Sequence, residues 1–495
     1  MKKNILCGIL FVALAYIVPA TAQERDPVPM PEVNTDSIMK HIVELSSETY
    51  EGRLAGAAGH ERAMAYVERV LRNHGVKELK RQKFELECNE VENAKFNVYV
   101  PGSKERRVFT LGNEFCCVGM TGRGYVDAQM TFCGYGVDHS FFDEYKGVDV
   151  QGKIVVVLSG TPQWMPESVS KYYQSLRDKA RTAERHGAIG MLVINTSRSC
   201  FSYEPQGRVY CGELPHLGTF PILQLTLDCG RELLNDEAVT LDDAIQGLDI
   251  HKKQSFTLLK KAEIDVNARY SQRASTANVI GLLEGSDKKL RREVIVVGAS
   301  LDGTGIQGET CIFPSADIKA SGVAAVLETA RLLSNPDYRP KRSILFVLFS
   351  GSEQQYMGSR EFLKQYDNLR NIEAFINAQN IGSGDSLVVL GDNHYPSLYD
   401  IAHLHDTAAS RQDIWSNGEK TNPRGDARVF DALSIPSLVI TTHNGMCHNH
   451  VPSDIWENID RRILTKATRL VVETTAELGE GLYQGRSLAS RSQKL

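Results

Sequence analysis

Beyond its first residues the sequence has no apolar run near the ~20 residues of a spanning helix, so no later segment is expected to cross a bilayer. No Cys-x-x-Cys pair occurs among its ten cysteines, which removes the zinc finger as a reading. No serine sits in a Gly-x-Ser-x-Gly elbow; Ser352 has glycine on one side only, and Ser300 and Ser359 fare no better as acyl nucleophiles. Positive charge is not in excess either. Lys and Arg number 56 against 61 Asp and Glu, a net charge of −5, which gives no reason to expect nucleic acid or an anionic membrane as partner. Low-complexity tracts are missing as well. Gly303–Gly308 does fit Gly-x-Gly-x-x-Gly after a strand, but Glu309–Pro314 cannot open the helix that a dinucleotide site requires.

What is present points to an ordinary globular composition, 42% hydrophobic and 24% charged, over 495 residues. That length is too great for one core, so two domains are expected. Lys2 and Lys3 precede an apolar run, Ile5–Val18, and Ala20-Thr21-Ala22 follows, a pattern read as a secretory signal peptide cleaved after Ala22. The mature chain is then exported, periplasmic or secreted, with no span left after cleavage. Export permits disulfides among the nine cysteines that remain once Cys7 is removed. Cys200 and Cys211 flank a loop and suit a local bridge, whereas the adjacent Cys116 and Cys117 do not suit each other.

Along the chain, Ile38, Ile42 and Leu45 repeat at helical spacing, as do Ala63, Val67 and Val70, with the turn Glu51–Gly56 between them. Phe84–Glu87 and Phe96–Val100 read as strands. Near Tyr125 the rhythm changes to a second αβ unit, with strands Ile154–Leu158, Met191–Ile194 and Ile222–Leu225 and a helix around Tyr172–His186. The first rhythm resumes at Thr276, with strands Val294–Val297, Ser343–Phe349, Ala374–Asn377 and Leu438–Thr442 and helices Val323–Leu333 and Ile463–Leu478. Long apolar strands alternating with helices predict a mostly parallel sheet covered on both faces. The organisation is therefore a signal peptide (1–22), an α/β domain in two parts (23–123 and 256–482), an inserted α/β domain (124–255) and a Ser/Arg/Lys-rich tail (483–495) read as disordered.

Polar residues gather where the strands end: Ser300 and Asp302, then Asp317, then Ser352 and Glu353, then Gln379 and Asn380. His443, Cys447, His448 and His450 crowd one loop, with Asp454 after it. One Asp, one Glu and one His from three loops would suit a divalent ion, zinc first. A His-rich loop is, however, more often simply a polar loop.

Six runs stand in order: NVIGLLEG (Asn278–Gly285), GASLDGTG (Gly298–Gly305), ADIKASG (Ala316–Gly322), GSEQQYMGS (Gly351–Ser359), NAQNIG (Asn377–Gly382) and NHVPSDIWENID (Asn449–Asp460). Together they resemble the zinc exopeptidase family of bacterial leucyl aminopeptidases, glutamate carboxypeptidase II and glutaminyl cyclases. EGRLAG and the YKGVDVQGKIVVVL and GAIGMLVI runs of the insert resemble members carrying a protease-associated (PA) domain. The resemblance implies a three-layer α/β/α zinc-peptidase domain interrupted by that insert. It also implies two zinc ions bridged by the position of Asp317. One ion would add Glu353 and His450. The other would need a histidine and an aspartate, but Ser300 and Gln379 stand there. The general-base position holds Ser352, so no catalytic residue is assigned. Asp302 keeps the place of an orienting aspartate, with His448 and Asp454 as further supporting residues.

One half-site is thus lost and the other kept, leaving room for a single zinc. Serine and glutamine replace neither an imidazole nor a carboxylate as zinc ligands. Zinc lowers the pKa of bound water to roughly 7 unaided, yet general acid–base catalysis supplies a further ~10²–10⁴-fold. The leading expectation is an exported, non-catalytic peptidase homologue that binds peptide or protein. The alternatives are a metal-dependent aminopeptidase with a rebuilt single-zinc site and, behind it, a single-zinc glutaminyl-cyclase-like enzyme. Cys311 and Cys447 fall at the mouth of the site, where they could bridge, ligate metal or simply pack.

Overall fold

The structure is a computed structural model that describes residues 32–196, 203–204, 206–209, 215–404, 414, 418–445, 449–481 and 483. The leader, Cys7, Cys200, Cys211, Cys447, His448 and the tail after Tyr483 lie outside the described residues. The two N-terminal apolar stripes form α1 (Thr35–Leu45), capped by the Asn34 side chain, and α2 (Ala58–Asn73). Strand β1 (Glu78–Tyr99) follows as one continuous element. The sequence suggested two strands, because the polar stretch CNEVENAK breaks the apolar alternation. The ladder nevertheless continues, because a single partner strand accompanies it, with register shifts at Leu86/Cys88 and Val91/Asn93.

The insert supplies β2 (Gly124–Cys133), β3 (Ile154–Leu158), α3 (Leu176–Arg185), β4 (Gly190–Ile194) and β5 (Ile222–Leu225). The helix expected over Tyr172–His186 is broken before α3, where Ser175 leaves helical geometry and its side chain caps Asp178 N–H. Then comes β6 (Ser255–Leu283), the partner of β1, paired from Glu78 opposite Leu282 to Tyr99 opposite Lys261. It also pairs with β2 at one end and runs on into the peptidase-like lobe at the other. The sequence picked out only its last residues, since its first half is polar on alternate positions.

The site-bearing part contains β7 (Val294–Ser300), α4 (Ser321–Leu333), β8 (Ser343–Phe349), α5 (Met357–Gln365), β9 (Ile372–Ala378), β10 (Ser386–Leu390), α6 (Gly425–Asp431), β11 (Ser437–His443) and α7 (Arg461–Gly479). Strands β8, β7, β9 and β11 are mutually parallel, with β10 antiparallel at the edge. The order across the sheet is β10-β11-β9-β7-β8-β6-β2-β3-β4-β5, so one sheet runs through both lobes. Every residue of β7, β8 and β9 is buried, as a parallel sheet covered on both faces requires. One core lies between this sheet and α1, α2, α4 and α7; another lies on the opposite face with Phe362 of α5 and Phe430 of α6. The insert has its own pair of cores across β3 and β4. The carboxyl ends of β7, β8 and β9 all open toward one region, and the polar residues singled out in the sequence follow them there.

Candidate functional site

Asp317 does not sit at a plain helix start. It lies in a π-helical turn, Ala316–Ala320, that precedes α4 and is entered through Ser315 at φ 52°. Asp454 fixes this turn by accepting from Asp317 N–H at 2.7 Å and Ile318 N–H at 3.2 Å. Both oxygens of Asp317 are engaged in turn, one by Gly382 N–H at 2.7 Å and the other by the Ser383 hydroxyl. Single π turns cluster at functional sites, and this one rotates a residue the sequence reading passed over into the centre.

That residue is Lys319. Its ammonium donates to Glu353 Oε1 at 3.0 Å and to Ser352 Oγ at 2.7 Å, and the side chain is only 5% exposed. Ser352 passes the chain on: its hydroxyl donates to Asp302 Oδ2 at 3.0 Å and its N–H donates to the same carboxylate. Burial opposes charge on Lys319, but Glu353 and Asp302 outweigh it and raise its pKa. Burial likewise opposes charge on Glu353, yet Lys319, His450 and Arg208 together hold it down at about 2. The pair is therefore an ammonium against a carboxylate. Asp302, pushed up to about 6 by burial despite Lys319, completes the row.

His450, itself at φ 55°, sets Nε2 3.9 Å from Glu353 Oε1 and has Thr304 Oγ1 3.2 Å from Nδ1. Burial pushes its pKa down to about 4, so the ring is neutral at pH 7. Ser300 points elsewhere. It donates to Asp426 Oδ2 at 2.8 Å, and Ser359 donates to the other oxygen of the same carboxylate at 2.8 Å. Asp426, at the start of α6, is buried and its pKa is raised by that burial. No signal in the sequence marks it, because GDARVF reads as an ordinary helix start. Gln379 is half-buried with its amide oxygen against Gly425, one residue from Asp426.

The insert closes the region from above. Arg208 brings its guanidinium to 3.7 Å from Glu353 Oε2 while also meeting Glu204 at 3.2 Å. Gly207 lies so close that a Cβ there would stand 3.0 Å from Glu353 Cβ. From below, the Glu51–Gly56 turn buries Arg53 completely, and its guanidinium donates to the carbonyls of Leu301, Leu45, Pro314 and Ser315. This one side chain braces the loops on either side of Asp302 and Asp317. Ser315, Gln355, Tyr356, Asn380 and His450 all have positive φ, a conformation non-glycine residues keep only when their surroundings enforce it.

The structure thus brings Glu353, His450, Ser352 and Asp302 together around Lys319 and places Asp317 two residues before it in the same π turn, held by other partners. Among the described residues no group of three or more His, Cys, Asp and Glu side chains is arranged to hold a metal ion. A zinc ligand set of Asp317, Glu353 and His450 does not fit this arrangement, since the Glu353 oxygen it needs already faces a fixed cation. Lys319 was visible as a charged residue in the ADIKASG run. What the sequence could not show was its direction.

Residues 278–475 match the family described as peptidase family M28, and residues 121–231 match the PA domain. The chain thus carries a peptidase family M28 region and a PA domain. Among relatives of this chain, human transferrin receptor protein 2 is 28% identical over 364 residues, 63% of this chain and 41% of the receptor. A probable zinc metalloprotease of Pyrenophora tritici-repentis is 36% identical over 87 residues, 17% of this chain and 20% of that protein. The chain spans less than half the length of either relative. Two solved structures share the fold over nearly the whole length. BSAP, a zinc aminopeptidase from Bacillus subtilis, is 17% identical, with 92% of this chain and 98% of that one covered at a TM-score of 0.66. An aminopeptidase from Aneurinibacillus sp. strain AM-1 is 18% identical, with 90% and 94% covered at 0.61. The M28 fold, with its mixed, mostly parallel sheet and PA insert, is the one expected from the motifs.

Proposed function

We propose that this M28 chain is an exported peptidase homologue without zinc-peptidase turnover, which binds a peptide or protein through the old cleft and the PA domain. The observation that carries this reading is the Lys319 ammonium on Glu353 Oε1 at 3.0 Å. A dication beside it would meet an unscreened like charge in a buried setting, where such repulsion is strong. The general-base position supports the same reading, because Ser352 is a hydroxyl held between Lys319 and Asp302 and has no proton to exchange near neutral pH. Both private positions of the second ion are neutral, and Ser300 is committed to Asp426. The relatives' names include a receptor as well as metalloproteases, which supports binding as a use of this fold. Among the described residues no helix is long and apolar enough to cross a membrane. Export is supported by the leader pattern, and a mature N-terminus at Gln23 is the expected result of sequencing the processed protein.

The test is metal content and turnover measured together on the purified mature chain. No stoichiometric zinc and no release from a panel of aminoacyl substrates are expected. Turnover that is abolished both by chelation and by Glu353→Ala would overturn the proposal. Restoring Ser300→His, Ser352→Glu and Gln379→Asp together with Lys319→Asn is expected to create zinc binding, whereas the three restorations without Lys319→Asn are not.

A further inference from the structure

Two cysteines that the sequence did not pair meet at the seam between the insert and the site. Cys116 lies in the short strand Phe115–Cys117, which edges the insert sheet by pairing with β5. Cys311 opens the return strand of a hairpin, Cys311–Phe313 against Gly305–Gln307, just ahead of the Asp317 turn. Both are buried, at 1% and 6% exposure, in one cluster with Tyr203, Phe313 and Val451. In that cluster the two thiols are electrostatic neighbours.

Two further devices hold the strands in place. The Gln307 side chain accepts from Cys117 N–H and donates to Cys117 C=O, both at 2.8 Å, and so acts as an extra rung between the strand and the hairpin. Gln307 is the direct cross-strand partner of Cys311. Gly112, whose N–H donates to Phe115 C=O at 2.8 Å, packs against Cys311; a Cβ there would stand 2.7 Å from Cys311 Sγ. Cysteines bridge only where the backbone brings their side chains face to face, and here the rung and the glycine contact do so from two sides.

We propose that Cys116 and Cys311 form a disulfide that locks the edge of the insert sheet to the loop carrying Asp317. In the structure both are thiols. The bond forms by thiol–disulfide exchange during folding, before the pair is enclosed. The Cys311 thiolate attacks a disulfide oxidant, giving a mixed disulfide, and the Cys116 thiolate then displaces the oxidant's second sulfur. Two cysteine thiols lose two protons and two electrons, and one oxidant disulfide becomes two thiols. In the cell the bond depends on the export reading, because only an oxidising compartment maintains it.

The test uses the full mature chain, refolded in a reduced/oxidised glutathione buffer, denatured, alkylated without reduction and digested. A peptide containing Cys116 and Cys117 linked to one containing Cys311 is expected, lighter by the mass of two hydrogens than the two free peptides. The link is expected to survive Cys117→Ser and to vanish in Cys116→Ser and Cys311→Ser. A link that moves to Cys117, a link from Cys311 to Cys447, or full alkylation of Cys116 and Cys311 in folded, oxidised protein overturns the proposal. A bridge present after refolding but absent from protein recovered from its own cells supports the bond and counts against export instead.

Discussion

Lys319 and Glu353 form a buried ion pair, and its consequences are read most directly on single residues. A buried pair is costly to break from one side, because the survivor is left as an uncompensated charge. Lys319→Met strands Glu353, and a loss of about 3–5 kcal/mol is expected from chemical denaturation. The double change Lys319→Met with Glu353→Met removes both charges and is expected to recover most of that loss. If the single and double variants are equally destabilised, the pair is not what holds these loops. Ser300, Ser352 and Gln379 were legible as departures from a ligand pattern, because residue type alone decides what can bind zinc. The new partnerships, Lys319 with Glu353 and Ser300 with Asp426, were not legible. They depend on how a π turn and the start of α6 aim their side chains, and no spacing rule reports that.

At the scale of elements, the helices over the N-terminal face carry a pH dependence of their own. His41 on α1 meets the Tyr66 hydroxyl of α2 at 2.7 Å, and burial first, then His74, pushes its pKa down to about 4. Between pH 6.5 and 4 the unfolded chain takes up this proton and the folded chain refuses it, so stability falls as pH is lowered through that window. The slope attributable to one such group is about 1.4 kcal/mol per pH unit at most. His41→Gln is expected to flatten the fall in stability measured by urea titration at pH 7, 6 and 5, while an unchanged slope would assign it elsewhere. The elements themselves were read well where burial is complete: β7, β8, β9 and β11 announce themselves as apolar runs. They were read poorly where a strand is half-buried and polar on one side, as β1 and β6 are. The Glu51–Gly56 turn was recognised as a turn, but nothing in its letters showed that Arg53 would be enclosed and would brace two loops more than 240 residues away in the sequence.

For the whole molecule the decisive feature is that β6 belongs to both lobes. It pairs with β2 of the insert and with β8 of the peptidase-like part, and β1 runs beside it for nearly its full length. Removing residues 124–255 therefore strips one side of a shared ladder and exposes the apolar face of β6 that packs into the insert core. Such an excised chain is expected to aggregate, and the intact chain to unfold in a single calorimetric transition; two well-separated transitions would show that the lobes are energetically independent. The insert's residues 206–209 also cover Glu353. Because Gly207 rests on Glu353 and Arg208 neutralises it, nothing can approach that carboxylate by simple collision. A ligand directed at Glu353 would first have to displace this segment, and its observed association rate is then expected to level off at the opening rate as ligand concentration rises.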